Sequence, residues 1–297
     1  MKNVAASIKD RLQNVSRSQG CPLNRLLDDF ALARLFARVS ESTYRDKFVL
    51  KGAQLFTLWA GVTHRPTRDA DFLSFGSPDP RALESIFDEI CALTTSPPDG
   101  LKWLPAKAAS TQEENIYGGV RIKIFALLGT VRIPVQIDIG FGDSITPKAQ
   151  TAKWKMPLDF PPMPLLVYCP ETVIAEKLQA VVILGTGNSR MKDFFDLLWL
   201  SRHRKFDGRL LQDAVQATFI RRETPLPNNS PVALTEIFYS RSDKQAQWTA
   251  FLRKSVQKSL DLKEVVEQIA RFLNPVIRSE VSNQTWNPKS GWIDKPS

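Results

Sequence analysis

The order of patterns along this 297-residue chain predicts an α+β protein: a small mixed β-sheet flanked by helices, followed by a mainly helical C-terminal half. Three observations carry that expectation. Period-two alternation is concentrated in residues 119–128 and 131–139, either side of Gly129-Thr130, which is a hairpin signal. Apolar residues at helical spacing dominate beyond residue 170. Between the two, residues 149–170 hold five prolines and little periodicity, the composition of a linker.

Taken in order, residues 1–44 read as an N-terminal helical arm. The first twenty are polar, and Leu26, Leu27, Phe30, Leu32, Leu35 and Phe36 then mark an amphipathic helix from Leu23 to Ser40. Residues 45–150 form the core. There Phe48-Val-Leu-Lys51 reads as a strand that breaks at Gly52 into a helix over 53–60, ended by Gly61. A strand through 72–75, a helix over 80–93 behind Asp79 and the hairpin follow. After the 151–170 linker, the helical domain 171–275 carries helices over 171–184, 190–202, 208–220, 243–257 and 261–273. The polar tail 276–297, with Trp286 and Trp292, has no pattern that places it.

The most informative stretch is Arg65-Pro-Thr67-Arg68-Asp69-Ala-Asp71-Phe72. Asp69 and Asp71 are two apart on the way into a strand, so both carboxylates leave one face, roughly 6–7 Å apart. Unneutralised, they repel by about 2–3 kcal/mol at an effective dielectric of ~20. Magnesium reverses that cost, because Mg²⁺ is held by one or two carboxylates plus substrate phosphates. A solvated turn with two acids is the plainer alternative. Upstream, a strand turning at Lys51-Gly52-Ala53 into a helix offers backbone amides to a phosphate. A third acid, Asp138, sits among Ile137, Ile139 and Phe141 near the end of the second hairpin strand. It either faces water on an edge strand or joins the Asp69/Asp71 pair.

Two later helices carry charge in telling places. Lys177 falls where the stripe Ile174, Leu178, Val181 calls for an apolar residue, so it either snorkels to the rim or points into a site. Arg190, Asp193 and Asp196 share a helical face, which is either solvated or functional.

Together these residues resemble a known family. A glycine-containing strand–helix turn, Asp-x-Asp on the next strand and a third acid on a later one are similar to the DNA polymerase β-like nucleotidyltransferase superfamily. Lys51-Gly52-Ala53, Arg65-Pro-Thr67-Arg68-Asp69-Ala-Asp71, Glu176-Lys177-Leu and Arg190-Met-Lys192-Asp193 more narrowly resemble the AbiEii/AbiGii toxin nucleotidyltransferases, over about residues 25–200. The superfamily often has Gly-Ser at the turn and the toxins Gly-Gly. Gly52-Ala53 departs from both, leaving phosphate contact there to backbone amides.

The resemblance implies a nucleotidyltransferase core with Asp69, Asp71 and Asp138 holding two Mg²⁺ ions. It further implies Lys177 and Asp193 as catalytic residues, and Lys51, Gly52, Ala53, Arg65, Thr67 and Arg190 around the nucleotide. Asp193 fits the motif aspartate better than Asp196. The implied reaction moves NMP from an NTP to RNA, the 3′ end of tRNA being the expected acceptor, with a separate antitoxin restraining the enzyme. Transfer to a small molecule or a protein hydroxyl is the nearest alternative. A catalytically silent nucleic-acid or partner-binding module is the other.

Composition agrees. The formal charge of +9 and pI near 9.5 suit a polyanionic partner. Part of that charge concentrates in Arg202, Arg204, Lys205, Arg209, Arg221 and Arg222, unless that run is simply a solvated face. Three cysteines without Cys-x-x-Cys spacing and two histidines make no zinc cluster and suit a reducing cytoplasm. No apolar stretch has the length of a membrane span or a secretory signal, so a cytoplasmic protein is expected; it is also expected to be a monomer.

Overall fold

The computed structural model describes residues 3–61, 67, 69–111, 118–254 and 260–295. The chain divides into two compact units, the first made of residues 1–142 and 150–167, the second of 143–149 and 168–297.

The first unit begins with α1 (Val4–Gln19), capped by Asn3, whose Oδ1 accepts from the Ala6 amide at 3.1 Å. The following helix, α2 (Leu23–Glu41), buries Leu27, Phe30, Leu35 and Phe36. The chain then enters a mixed sheet through β1 (Phe48–Lys51), α3 (Gln54–Ala60), β2 (Asp69–Ser74) and α4 (Pro80–Ala92). Asp79 caps α4, accepting from the Arg81 amide at 3.0 Å, and proline at the first turn is preset for helix. Short strands β3 (Leu101–Trp103) and β4 (Lys107–Thr111) both pair with β5 (Gly119–Leu128), which turns through Gly129-Thr130 into β6 (Val131–Phe141). The expected hairpin is therefore present, with β6 running two residues further.

Residues 149–170, read as a linker, contribute β7 (Gln150–Trp154) and β8 (Met163–Val167) to this same sheet. In β8 the inward positions Met163, Leu165 and Val167 are buried, but prolines at 161, 162 and 164 hide that alternation. Among the described residues the strand order is β3-β5-β6-β2-β1-β8-β7, with β4 also on β5. Strand β1 is antiparallel to β2 and parallel to β8, while β2 is parallel to β6.

One face of the sheet is core. Phe72 packs edge-on against Phe36 of α2, ring centroids 5.7 Å apart, and Ala70, Ile137 and Ile139 share that buried face. Because side chains alternate, Asp69, Asp71 and Asp138 are left on the other face.

In the second unit, α5 (Pro170–Leu184) and α6 (Met191–His203) are followed by β9 (Phe206–Asp207) and α7 (Gly208–Arg221). Next comes α8 (Glu236–Tyr239), a short helix the spacing did not announce. It is followed by α9 (Ser242–Leu252), which gives way to a turn at 253–254 although the expected helix ran to 257; residues 255–257 of that expectation lie outside the described residues. Helix α10 (Leu262–Ile277) is close to its expected limits. The last residues form β10 (Gln284–Asn287) and β11 (Gly291–Asp294), which complete a small sheet with β9. Trp286 is buried and donates Nε1–H to the Ser201 carbonyl at 2.7 Å, while Trp292 donates to the Phe272 carbonyl at 3.0 Å. Both rings pack on Phe272, so the polar tail is anchored by its two tryptophans.

Candidate active site

Register builds the site in the first unit. Lys51 of β1 stands opposite Asp71 of β2, Asp71 stands beside Asp138 of β6, and Asp138 stands opposite Arg121 of β5. Asp69 pairs in register with Gln136. Neighbours in register share a face, so four adjacent strands deliver three acids and two cations to the open side of the sheet.

The turn after β1 is fitted to this arrangement. Gly52 has φ +73°, a left-handed conformation that side chains resist, and a Cβ there would collide with the Asp71 carboxylate. Glycine is required on both counts. Lys51 reaches in the same direction: its Nζ lies 3.4 Å from where a Cβ on Gly140 of β6 would be. The ammonium thus crosses β2 over the acidic face. Ala53 is buried at the start of α3, which spans seven residues.

Asp138 stands on an interior strand rather than an edge, and it is not a bare acid. Arg121 grips it with Nε to Oδ1 at 2.7 Å and Nη2 to Oδ2 at 3.0 Å, and Gln136 adds Nε2 to Oδ2 at 3.4 Å. The Arg121 and Asp138 side chains are 29% and 30% exposed. Arg121 was readable in principle. A two-residue turn that sets Leu128 opposite Val131 sets Arg121 opposite Asp138.

Thr67 is half-buried just before β2, and Arg65 lies outside the described residues. Among the described residues, no group of three or more His, Cys, Asp or Glu is placed to share a metal ion. The donor chemistry nevertheless suits a hard divalent cation, being carboxylate oxygen throughout, with Asp69 and Asp71 on one face.

The second unit contains the other expected residues. Lys177 on α5 points inward rather than snorkelling. Its Nζ meets Asp193 Oδ1 at 2.6 Å and Asp196 Oδ2 at 2.8 Å, both on α6. Asp193 and Asp196 are 1% and 0% exposed at the side chain. Arg190, one turn earlier on the same face, adds Nε to Asp193 Oδ2 at 2.8 Å. Lys177, Asp193 and Arg190 therefore stand together, and Asp196 joins them as a fourth member. A hollow of about 410 Å³ is lined by Arg190 together with Met191, Lys192, Gln247 and Phe251.

Beside that cluster lies a polar network the sequence did not suggest. Arg222 donates Nη2–H to Asp143 Oδ1 at 3.0 Å and Nη1–H to Gln179 Oε1 at 3.0 Å, and approaches Glu176 at 3.5 Å. Burial, with Glu176 and Asp143 nearby, keeps the Tyr168 hydroxyl protonated well beyond its ordinary range. No helix is long and apolar enough to cross a membrane among the described residues.

Comparison with known proteins bears on the family and the fold. The pattern of the family described as nucleotidyl transferase AbiEii toxin, type IV toxin–antitoxin system, matches residues 34–272. Among solved structures, one from Helicobacter pylori, provisionally assigned as a nucleotidyltransferase, superposes with a TM-score of 0.50 at 14% identity. The match covers 86% of this chain and 95% of that one, and shows a shared fold. A second H. pylori structure, JHP933, has a TM-score of 0.48 at 14% identity, covering 86% of this chain and 92% of its own. No curated protein matches the chain. With its motifs falling inside the matched span, the chain belongs to the AbiEii family of toxin nucleotidyltransferases.

Proposed function

We propose that this nucleotidyltransferase moves NMP from an NTP to an RNA acceptor, the 3′ end of tRNA, with release of pyrophosphate. The observation that carries the reading is the shared sheet face on which Lys51, Asp69, Asp71 and Asp138 converge, with Gly52 pressed against Asp71. In the reaction, the acceptor hydroxyl oxygen forms a bond to the α-phosphorus while the bond from that phosphorus to the α–β bridging oxygen breaks. The hydroxyl proton passes toward Asp138, and the electron pair leaves with pyrophosphate.

Asp69 and Asp71 would hold two Mg²⁺ ions with Asp138 as the third acid, and the ions would supply charge stabilisation of the attacking and leaving oxygens. Lys51 neutralises phosphate charge, and backbone amides of Gly52 and Ala53 receive phosphate at the turn. The motif match supports roles for Lys177, Asp193 and Arg190 on the triphosphate, and for Arg65 and Thr67 beside it. The surplus of basic residues favours a polyanionic acceptor, and binding to it is expected to weaken with salt. Membership of a toxin–antitoxin family supports a cognate antitoxin as the partner that restrains it.

Incubating the pure protein with Mg²⁺, total cellular RNA and each α-labelled NTP in turn tests this directly. The expected result is label on a tRNA-sized band. Label on the protein itself, or on no RNA with any of the four nucleotides, would overturn the RNA-acceptor reading.

A further inference from the structure

The grip of Arg121 on Asp138 bears on how the site fills. It is two-pronged and charge-assisted, the most directional form of an arginine–carboxylate contact. Both prongs end on an acid that stands in register beside Asp71. One carboxylate thus lies between a guanidinium on β5 and the acid pair on β2. Both side chains keep nearly a third of their surface in solvent, so the contact can open without disturbing the core. Arginine does not lose its proton at working pH, so displacement rather than titration must break it.

We propose that Arg121 is a built-in counter-ion that competes with the divalent cation for Asp138, so that Asp138 joins Asp69 and Asp71 only when Arg121 lets go. This rests on the metal–nucleotide reading of the site and adds the residue that sets how readily the site fills. Without a cation, Arg121 offsets the repulsion of three acids on one face. With a cation bound, the released guanidinium remains on that face, where its charge is available to phosphate. A static pair at this exposure would matter little to binding, whereas a competitor must weaken it.

Mn²⁺ binding to the full chain without nucleotide, followed by electron paramagnetic resonance, separates the two. We expect Arg121→Gln to bind Mn²⁺ about tenfold more tightly than wild type, the effect of no longer having to break a charge-assisted pair to free the Asp138 carboxylate. Arg121→Lys, which keeps the charge but loses the fork, falls between. Lys123→Gln, two residues on and exposed on the same face, stays within about twofold. In an Asp138→Asn background the gain from Arg121→Gln disappears, because competitor and contested ligand are then both gone.

Equal or weaker binding by Arg121→Gln overturns the proposal, as does a gain that persists in the Asp138→Asn background. Asp69→Asn keeps the two levels distinct. If it abolishes Mn²⁺ binding while Arg121→Gln changes nothing, the metal site stands and the counter-ion role falls. If wild type and every variant fail to bind Mn²⁺, both fall. Melting curves on the same samples show that each variant is folded.

Discussion

The acids of the first unit and those of the second are neutralised in opposite ways. Asp69, Asp71 and Asp138 stand half-exposed on an open sheet face, and Asp138 is met by a long arginine from the neighbouring strand. Asp193 and Asp196 are sealed under helices and share one lysine at 2.6 and 2.8 Å. The open face leaves its charges accessible to an incoming cation or phosphate. The sealed cluster fixes Lys177 and Arg190 in place, and removing one member would leave a buried charge without compensation. Accessibility in one unit and fixed positioning in the other are different uses of similar residues.

Four substitutions break or sharpen that contrast. The largest effect is expected from Lys177→Met, which removes the cation that two buried carboxylates share. Stability should fall by about 3–5 kcal/mol, seen as a large drop in melting temperature, and transfer should fail with it.

Asp99 of the first unit tests whether burial of an acid is enough to mark function. It is buried against α2, accepting from Arg34 Nε at 2.9 Å and Arg38 Nη1 at 2.6 Å. Asp99→Asn should cost a comparable ~3–5 kcal/mol at neutral pH, while transfer per folded molecule stays at the wild-type level. Burial alone would raise its carboxyl, but the Arg38 and Arg34 contacts outweigh that and hold it below the ordinary value of 3.8. A depressed folded-state value means the charged form stabilises the fold above pH ~4, and that contribution is lost as pH falls through the lower folded value. Melting curves of wild type and Asp99→Asn should therefore converge in acid. A gap that stays constant below pH 4 would contradict the assignment.

Gly52→Ala should cost about 1–3 kcal/mol, from the left-handed backbone and the collision with Asp71. Its effect on transfer should exceed its effect on melting, because the displaced group is Asp71 itself. The smallest effect on stability is expected from Asp69→Asn, within about 1 kcal/mol of wild type, because the side chain stands half-exposed on the open face and no core packing is lost.

The same contrast explains what the sequence could reveal. Period two is short-range and survives on strands, so the shared face of Asp69 and Asp71 follows from spacing alone. The hairpin turn at Gly129-Thr130 carried enough information to set Arg121 against Asp138 as well. Helical spacing showed that Lys177 was out of place in an apolar stripe. It could not show that two acids of the following helix were waiting for it, since that depends on how α5 and α6 pack. Strands β7 and β8 were obscured because Pro161, Pro162 and Pro164 break the local pattern while Met163, Leu165 and Val167 still face inward. The tail was equally opaque. Trp286 and Trp292 acquire a place only by meeting Phe272 of the preceding helix and, for Trp286, the carbonyl of Ser201, which is far away in sequence. Asp143, which anchors Arg222, had no local signal at all.

The most direct test of the account is single-turnover transfer of labelled NMP to tRNA by wild type and Asp69→Asn, with melting temperature measured on the same preparations. The account predicts loss of transfer by about 10³-fold or more, the scale of losing a principal electrostatic contributor, with melting nearly unchanged. Retention of transfer by folded Asp69→Asn would contradict it, because the open sheet face could then not be where the chemistry occurs.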